Sequence, residues 1–331
     1  MSSKNSRKLS YSLAINEALH QMMEFDSSVF LIGQGVKSPW YVGNTCNGLI
    51  EKYSEKRVID TPISENAITG AAVGAALSGM RSIAVHPRID FMMYALDPII
   101  NQAANWSYMF GGKVSVPVVI WGIINRGGEQ GAQHSQALQA LFSHIPGLKV
   151  VMPSTPYDAK GLMISAIKDD NPVVYIDDRW LYKIEEMVPE KIYSVPIGKG
   201  VIRKRGNDVT IAGISYMASE AVKAANELEK HNISSEVIDM RTVKPLDIDL
   251  VLQSIKKTGR LIVTEAAWLT GSVSASIVAE VQNRGFKYLK APIERICLPD
   301  CPAPTSGPLE KEYYINSNDI ILKVKKLLYK N

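Results

Sequence analysis

Cysteine is scarce in this chain of 331 residues: only Cys46, Cys297 and Cys301. That count excludes a disulfide framework and fits a reducing compartment. Cys297 and Cys301 lie four apart but are interrupted by Pro299, with no second pair, so a zinc site is not expected there. Long apolar runs are also missing, and none approaches the roughly 18 residues of a membrane-spanning helix. Met1 to Lys8 is polar and basic with no apolar stretch behind it, which argues against a secretory signal. No charge of one sign dominates, since the formal net charge is +4 with Lys and Arg dispersed. The densest basic run, Arg203-Lys204-Arg205-Gly206, reads as a solvated hairpin between two strands rather than a nucleic-acid surface. Phosphate-binding signatures are absent too: neither Gly-x-x-x-x-Gly-Lys-Ser/Thr nor a strand-linked Gly-x-Gly-x-x-Gly occurs. What remains is a globular, cytoplasmic protein without nucleic-acid or membrane partners.

What is present is an alternation of short apolar strands and helices. Tyr11 to Phe25 carries apolar residues at helical spacing, and Val29 to Gly33 reads as a buried strand. Arg57 to Asp60, Ser82 to Val85, Val116 to Trp121, Lys149 to Met152 and Pro172 to Ile176 read as further strands. Met92 to Ala104 and Pro156 to Lys168 read as helices. This pattern predicts an α/β fold with a mainly parallel sheet covered by helices on both faces. From residue 182 to 197 the periodicity fades among charges and prolines, which suggests a linker. A second series follows, with strands at Val209 to Gly213, Ser235 to Ile238, Leu261 to Thr264 and Ile293 to Leu298. Two domains are therefore expected, 8–181 and 198–331, the second with a smaller mixed sheet.

Two stretches carry the chemistry. The first is Thr61-Pro62-Ile63-Ser64-Glu65-Asn66 and the small-residue run to Gly79. Pro62 presets a turn, Ser64 or Thr61 can cap the helix, and Gly70, Gly74 and Ser78 fall on one face where another backbone can approach. The helix is apolar nearly all round, so burial is expected, with Glu65 a carboxylate at its entry. The second is Gln130-Gly131-Ala132-Gln133-His134-Ser135-Gln136, leading to His144-Ile145-Pro146-Gly147-Leu148. An imidazole beside a Gly-rich loop can donate or accept a proton near neutral pH.

Glu65-x-x-x-x-Gly70-Ala71-x-x-Gly74 resembles the glutamate-plus-glycine helix of thiamine-diphosphate enzymes. Together with Asp60 to Glu65 and Gln130 to Pro153, it is similar to the beta subunit of the decarboxylating component of 2-oxoacid dehydrogenases. The resemblance runs from about Tyr11 to Leu309. It implies a transketolase-like pyrimidine-binding domain followed by a transketolase C-terminal-like domain. It further implies that Glu65 holds a proton against a ring nitrogen of thiamine diphosphate, that Phe91 packs on the pyrimidine, and that His134 faces the substrate-derived adduct. By the same resemblance, main-chain oxygens of Val118, Ala166, Asp169 and Asn171 bind a potassium ion. The family's Gly-Asp-Gly element for magnesium and diphosphate is absent from the chain. An alpha subunit is therefore expected to supply that half, in an alpha2beta2 assembly serving a lipoyl-bearing acyltransferase.

Departures cluster where the substrate pocket is expected. Gln34 and Gly35 stand where the family has acids, Val85-His86-Pro87-Arg88 replaces Glu-Ile-Gln-Phe, Trp40 and Tyr41 replace small residues, and Ala266 follows Glu265 where a second Glu is common. Gln34, His86 and Arg88 are thus candidate pocket residues, and Arg88 suits an additional anionic group on the substrate. The expected function is decarboxylation of a 2-oxoacid such as pyruvate with transfer of the acyl fragment to a lipoyl group. A carboligase passing a two-carbon unit to an aldehyde or keto sugar, and a non-catalytic assembly subunit, are the alternatives.

Overall fold

The computed structural model describes residues 6–38 and 40–329. The chain divides into two compact units. The first holds the described residues up to Arg126 and Leu141–Ile197; the second holds Gly127–Ala140 and the described residues from Gly198 onward. The described sheets are mainly parallel, as the strand-helix alternation requires.

In the first unit, β1 (Ser6–Ser10) leads into α1 (Tyr11–Phe25) and β2 (Val29–Gly33), followed by α2 (Leu49–Arg57) and β3 (Val58–Asp60). Then come α3 (Glu65–Leu77), β4 (Arg81–His86), α4 (Ala104–Met109) and β5 (Val118–Ile124). The unit resumes at Leu141, within α5 (Gln139–His144), and continues through β6 (Lys149–Val151), α6 (Pro156–Lys168), β7 (Val173–Asp178) and β8 (Glu185–Pro189). Strands β6, β7, β5, β4, β2 and β3 lie side by side in that order, every pair parallel. Strands β2, β5 and β7 are buried along their whole length, which explains the apolar runs of β2 and β5 and of β7 as far as Ile176. Gly33 is required by proximity: a Cβ there would sit 2.5 Å from the Val85 carbonyl oxygen. Helix α1 begins where Ser10 Oγ accepts from the Leu13 N–H, and α6 where Thr155 Oγ1 accepts from the Asp158 N–H.

Three expectations for this unit need correction. The interval 182–197 is not a bare linker: β8 pairs antiparallel with β1, Ser10 opposite Glu185 and Ser6 opposite Pro189. Its partner strand lies far away in sequence, so local periodicity could not reveal it. Met92 to Ala104 is not one α-helix. Ile89–Ala95 is a 3₁₀ segment, Asp97–Ala103 has wide π-type turns, and α4 starts only at Ala104. Pro98 has no N–H to return to the preceding turn, which loosens the ladder there. Finally, α3 is buried on one face only. Ile68, Thr69, Ala72, Val73 and Ala76 face the interior, while Asn66, Ala67, Gly70, Ala71 and Gly74 are exposed. A Cβ on Gly70 or Gly74 would meet nothing within 4 Å.

In the second unit, β9 (Val201–Lys204), β10 (Val209–Gly213), α7 (Tyr216–Glu229) and β11 (Ser235–Asp239) come first. The strand β12 (Thr242–Lys244), α8 (Ile248–Thr258), β13 (Leu261–Trp268), α9 (Val273–Gly285) and β14 (Glu294–Leu298) follow. Helices α10 (Gly307–Tyr313) and α11 (Ser317–Tyr329) close the chain. The sheet order is β14-β13-β10-β11-β9, with β9 antiparallel and the rest parallel. The basic run is therefore not a hairpin, because β9 lies beside β11 rather than β10. Arg203 reaches the buried Asp239 Oδ2 at 2.8 Å, and Lys204 reaches Glu229 at 2.6 Å. Ile320 and Val324 of α11 join Ala221, Ala224, Ala225 and Leu228 of α7 in one apolar core. Burying Leu228, Ile320 or Val324 contributes about 1.5–3 kcal/mol each.

Candidate functional site

Parallel strands send their following loops to one edge of the sheet, and ligands bind there in α/β folds. In the first unit that edge carries Gln34 after β2, the turn to Glu65 after β3, Arg88 after β4, Arg126 after β5 and Arg179 after β7. The chain runs outward from β2 to β3 but to the opposite side from β4 to β5. The gap between the ends of β2 and β4 is thus the topological switch point, flanked by Gln34 and Arg88.

Glu65 opens α3. The loops after β2 and β3 are tied by the Thr61 N–H donating to the Gly33 carbonyl at 3.2 Å. Ser64 occupies the cap position, but its side chain accepts no cap hydrogen bond. Glu65 is half-buried rather than buried, because only one face of α3 is covered, and its carboxylate has no hydrogen-bond or ion-pair partner among the described residues. Asn66 Nδ2 donates to the Tyr94 carbonyl at 3.4 Å, which ties the start of α3 to the segment holding the half-buried Phe91. The structure therefore brings Glu65 and Phe91 onto two linked segments.

The three pocket candidates have different environments. Gln34 Nε2 donates to the Tyr41 hydroxyl at 2.7 Å. His86 is 1% exposed, and its Nε2 shares a 3.0 Å hydrogen bond with Thr69 Oγ1 beneath α3. Burial pushes the imidazole down to about 4, so it sits neutral in the core rather than facing a substrate. Arg88 is half-buried and, among the described residues, donates only to the neighbouring Pro87 carbonyl, at 2.8 Å.

Sequence reasoning missed several charged groups at this edge. Arg126 and Asp178 form a buried ion pair at 2.8 Å, with the guanidinium 5.6 Å over the Trp180 ring. Asp177 accepts from the Tyr182 hydroxyl at 2.8 Å and from Trp121 Nε1 at 3.3 Å, and burial raises its carboxyl to about 7. Arg179 Nη2 donates to the Tyr41 carbonyl at 2.5 Å. The available signal was position: each follows or ends an apolar strand, where the sheet edge must open to solvent or ligand.

The proposed potassium ligands also lie in the first unit. Asp169 O accepts from Arg81 Nη1 at 3.0 Å, and Ala166 O accepts from the Asp169 N–H at 3.3 Å. A carbonyl oxygen has two lone pairs, so both keep capacity for a cation. Lys149 holds the Asp169 carboxylate at 2.5 Å and the Asn171 N–H donates to its other oxygen at 2.9 Å, fixing this turn.

His134 belongs to the second unit, in a loop where Gly127, Gly128, Glu129 and Gly131 all have positive φ. Its N–H donates to the Gly131 carbonyl at 3.4 Å, and its ring is half-buried. A Cβ on Gly131 would lie 2.4 Å from Thr305 Cγ2, so glycine is needed for both conformation and space. The loop is anchored by the Glu129 N–H on the Glu310 carboxylate at 3.2 Å and by the Gly307 N–H on Glu129 Oε1 at 2.7 Å. Gln139 Nε2 donates to Glu265 Oε2 at 3.0 Å; burial raises the Glu265 carboxyl above the usual range.

A parallel-sheet unit with a helix-opening glutamate, followed by a smaller mixed sheet, defines a two-domain transketolase-type architecture. Residues 7–184 match the transketolase pyrimidine binding domain and residues 198–320 the transketolase C-terminal domain, and the chain belongs to this family. Among its relatives is the acetoin:2,6-dichlorophenolindophenol oxidoreductase subunit beta of Cupriavidus necator, 45% identical over 97% of this chain and 98% of the relative. Another is the pyruvate dehydrogenase E1 component subunit beta of Rickettsia bellii, 43% identical over 96% and 97%. A split-gene transketolase solved as an inactive beta4 tetramer shares the fold at TM-score 0.79, with 21% identity over 95% and 97% of the two chains.

Proposed function

We propose that this chain is the beta subunit of the thiamine-diphosphate-dependent decarboxylating component of a 2-oxoacid dehydrogenase. The observation that supports it best is Glu65: a carboxylate at the start of a family-typical helix, with no protein partner of its own among the described residues. The residues present fit the aminopyrimidine ring. Glu65 would hold a proton at a ring nitrogen, and Phe91 would present an aromatic face that orients the ring and excludes water. When bound, thiamine diphosphate supplies the electron sink that decarboxylation needs. His134, on its pinned glycine loop, would donate or accept a proton at a developing alkoxide.

The diphosphate and magnesium belong to an alpha subunit in an alpha2beta2 assembly, and a lipoyl-bearing acyltransferase accepts the acyl fragment. Main-chain oxygens of Val118, Ala166, Asp169 and Asn171 would hold a potassium ion. No described helix is long and apolar enough to cross a membrane. The free cysteines support a cytoplasmic location. The domain limits 8–181 and 198–331, with 182–197 between them, are part of the same reading, with the strand at Glu185–Pro189 returning part of that interval to the first unit.

The test co-expresses the chain with its alpha-type partner, then measures thiamine diphosphate binding calorimetrically and 2-oxoacid decarboxylation. Glu65→Gln is expected to lose about 100-fold or more in turnover while the assembly stays intact. Full activity in that variant would overturn the reading. One observation favours a second reading, transfer of a two-carbon unit to an aldehyde or keto sugar that carries an anionic group: Arg88 makes no ion pair with a carboxylate among the described residues.

A further inference from the structure

Arg88 and Arg179 are two half-buried guanidinium groups of the first unit that the proposed chemistry does not use. Neither makes an ion pair within 4.0 Å with a carboxylate among the described residues; Asp90 acts on Arg88, and Asp177 on Arg179, only through their fields. Each is half-buried, and the Nε–H of each is shielded from solvent with no hydrogen-bond partner. Among the described residues Arg88 spends only Nη1, on the adjacent Pro87 carbonyl, and its Nε–Nη2 edge meets no acceptor. That edge is the one that grips a carboxylate or phosphate with two parallel hydrogen bonds. Arg179 spends Nη2 on the Tyr41 carbonyl. Burial and the charge of Arg179 both hold Arg88 below the usual arginine range, while Tyr41, Asp90 and Tyr182 act the other way. Arg126, in the loop after β5, the strand between β4 and β7, differs because Asp178 neutralises it at 2.8 Å. Unsatisfied buried donors and neighbouring like charges are costly unless a ligand answers them.

We infer that Arg88 and Arg179, beside Gln34 and Tyr41 at the switch point of the sheet, form a subsite for an anionic substituent of the substrate, distinct from the 2-oxoacid carboxylate. The substituent is a phosphomonoester or a second carboxylate; both present paired oxygens to the two guanidinium groups. This rests on the decarboxylase reading for its place in catalysis, but the binding itself can be measured without it.

Two arms test the subsite. In the first, the melting temperature of the full chain is titrated with inorganic phosphate and with succinate, against chloride at matched ionic strength. Stabilisation by at least one of the two anions is expected, and which one does so identifies the source. Arg88→Gln and Arg179→Gln should each weaken the apparent affinity about 10-fold or more, as loss of a charge-assisted hydrogen bond implies. Arg88→Lys, which keeps the charge but not the fork, should fall between. Unchanged melting temperatures without anion would show that the variants fold. In the second arm, the enzyme assembled with its partner is given pyruvate or 2-oxoglutarate as donor, and glyceraldehyde or glyceraldehyde 3-phosphate as acceptor. The ratio of kcat/KM for anionic over neutral compounds should fall at least 10-fold in both glutamine variants. Anion affinities within twofold of wild type in both variants would overturn the subsite. Anion binding lost in the variants, with no 2-oxoacid turned over by wild type, would instead sink the decarboxylase reading and leave the subsite standing.

Discussion

Removing His86 should change how stability depends on pH, and the sign follows from its burial. The ring is neutral in the core, with its pKa lowered from 6.5 to about 4. As pH falls through 6.5 the unfolded chain binds a proton that the folded chain refuses. The stability associated with His86 is therefore complete above pH 6.5 and is lost as pH falls toward 4. At about 1.4 kcal/mol per pH unit, the loss reaches about 3 kcal/mol. Asp177 works in the opposite sense. Its pKa is raised from 3.8 to about 7, so the folded state takes the proton first. Its contribution is complete below pH 3.8 and is lost as pH rises through 7, by about 4 kcal/mol at most. Between pH 4 and 6.5 the two slopes nearly cancel. His86→Gln, which can keep the hydrogen bond to Thr69, should uncover the Asp177 slope, with stability falling by about 1 kcal/mol per unit as pH rises from 4.5 to 6.5. Asp177→Asn should uncover the reverse. Urea unfolding followed by circular dichroism at pH 4.5, 5.5 and 6.5 reads both differences against wild type. Parallel curves for wild type and His86→Gln would refute the assignment of a neutral, desolvated imidazole.

Arg126→Leu strands the carboxylate of Asp178, which is fully buried, and should cost about 3–5 kcal/mol in urea unfolding, with much of that loss recovered in the double variant Arg126→Leu/Asp178→Leu. Gly147→Ala should lower the melting temperature, because φ is +87° and the new Cβ would lie 2.1 Å from the Ala104 carbonyl oxygen. Gly74→Ala should do the opposite in the isolated chain, adding about 0.5–1 kcal/mol by chemical denaturation, since its Cβ meets nothing and alanine favours the helix. Replacing sodium by potassium at equal ionic strength should raise the melting temperature if the Val118, Ala166, Asp169 and Asn171 oxygens hold that ion; equal values would remove it from the proposal.

Much of this protein was legible in one dimension. Val29 to Gly33, Val209 to Gly213 and the helix Tyr11–Phe25 were readable because burial on both faces of a parallel sheet, or on one face of a helix, writes a local apolar pattern. Glu65 and His134 stood out because each lies in a stretch whose small residues serve backbone geometry. Helix α11 carries a helical apolar period at Ile320, Ile321, Val324, Leu327 and Leu328. Other features had no local signature. The strand Glu185–Pro189 exists because Ser6–Ser10 reaches it from the far end of the unit, and β9 chooses β11 over its sequence neighbour. That α3 keeps one face open, that His86 withdraws into the core, and that Arg88 and Arg179 make no ion pair among the described residues were settled by strand order, which sets what packs above each loop. Local composition fixes which backbone a segment prefers, whereas the environment of a charged side chain depends on neighbours that only folding assembles.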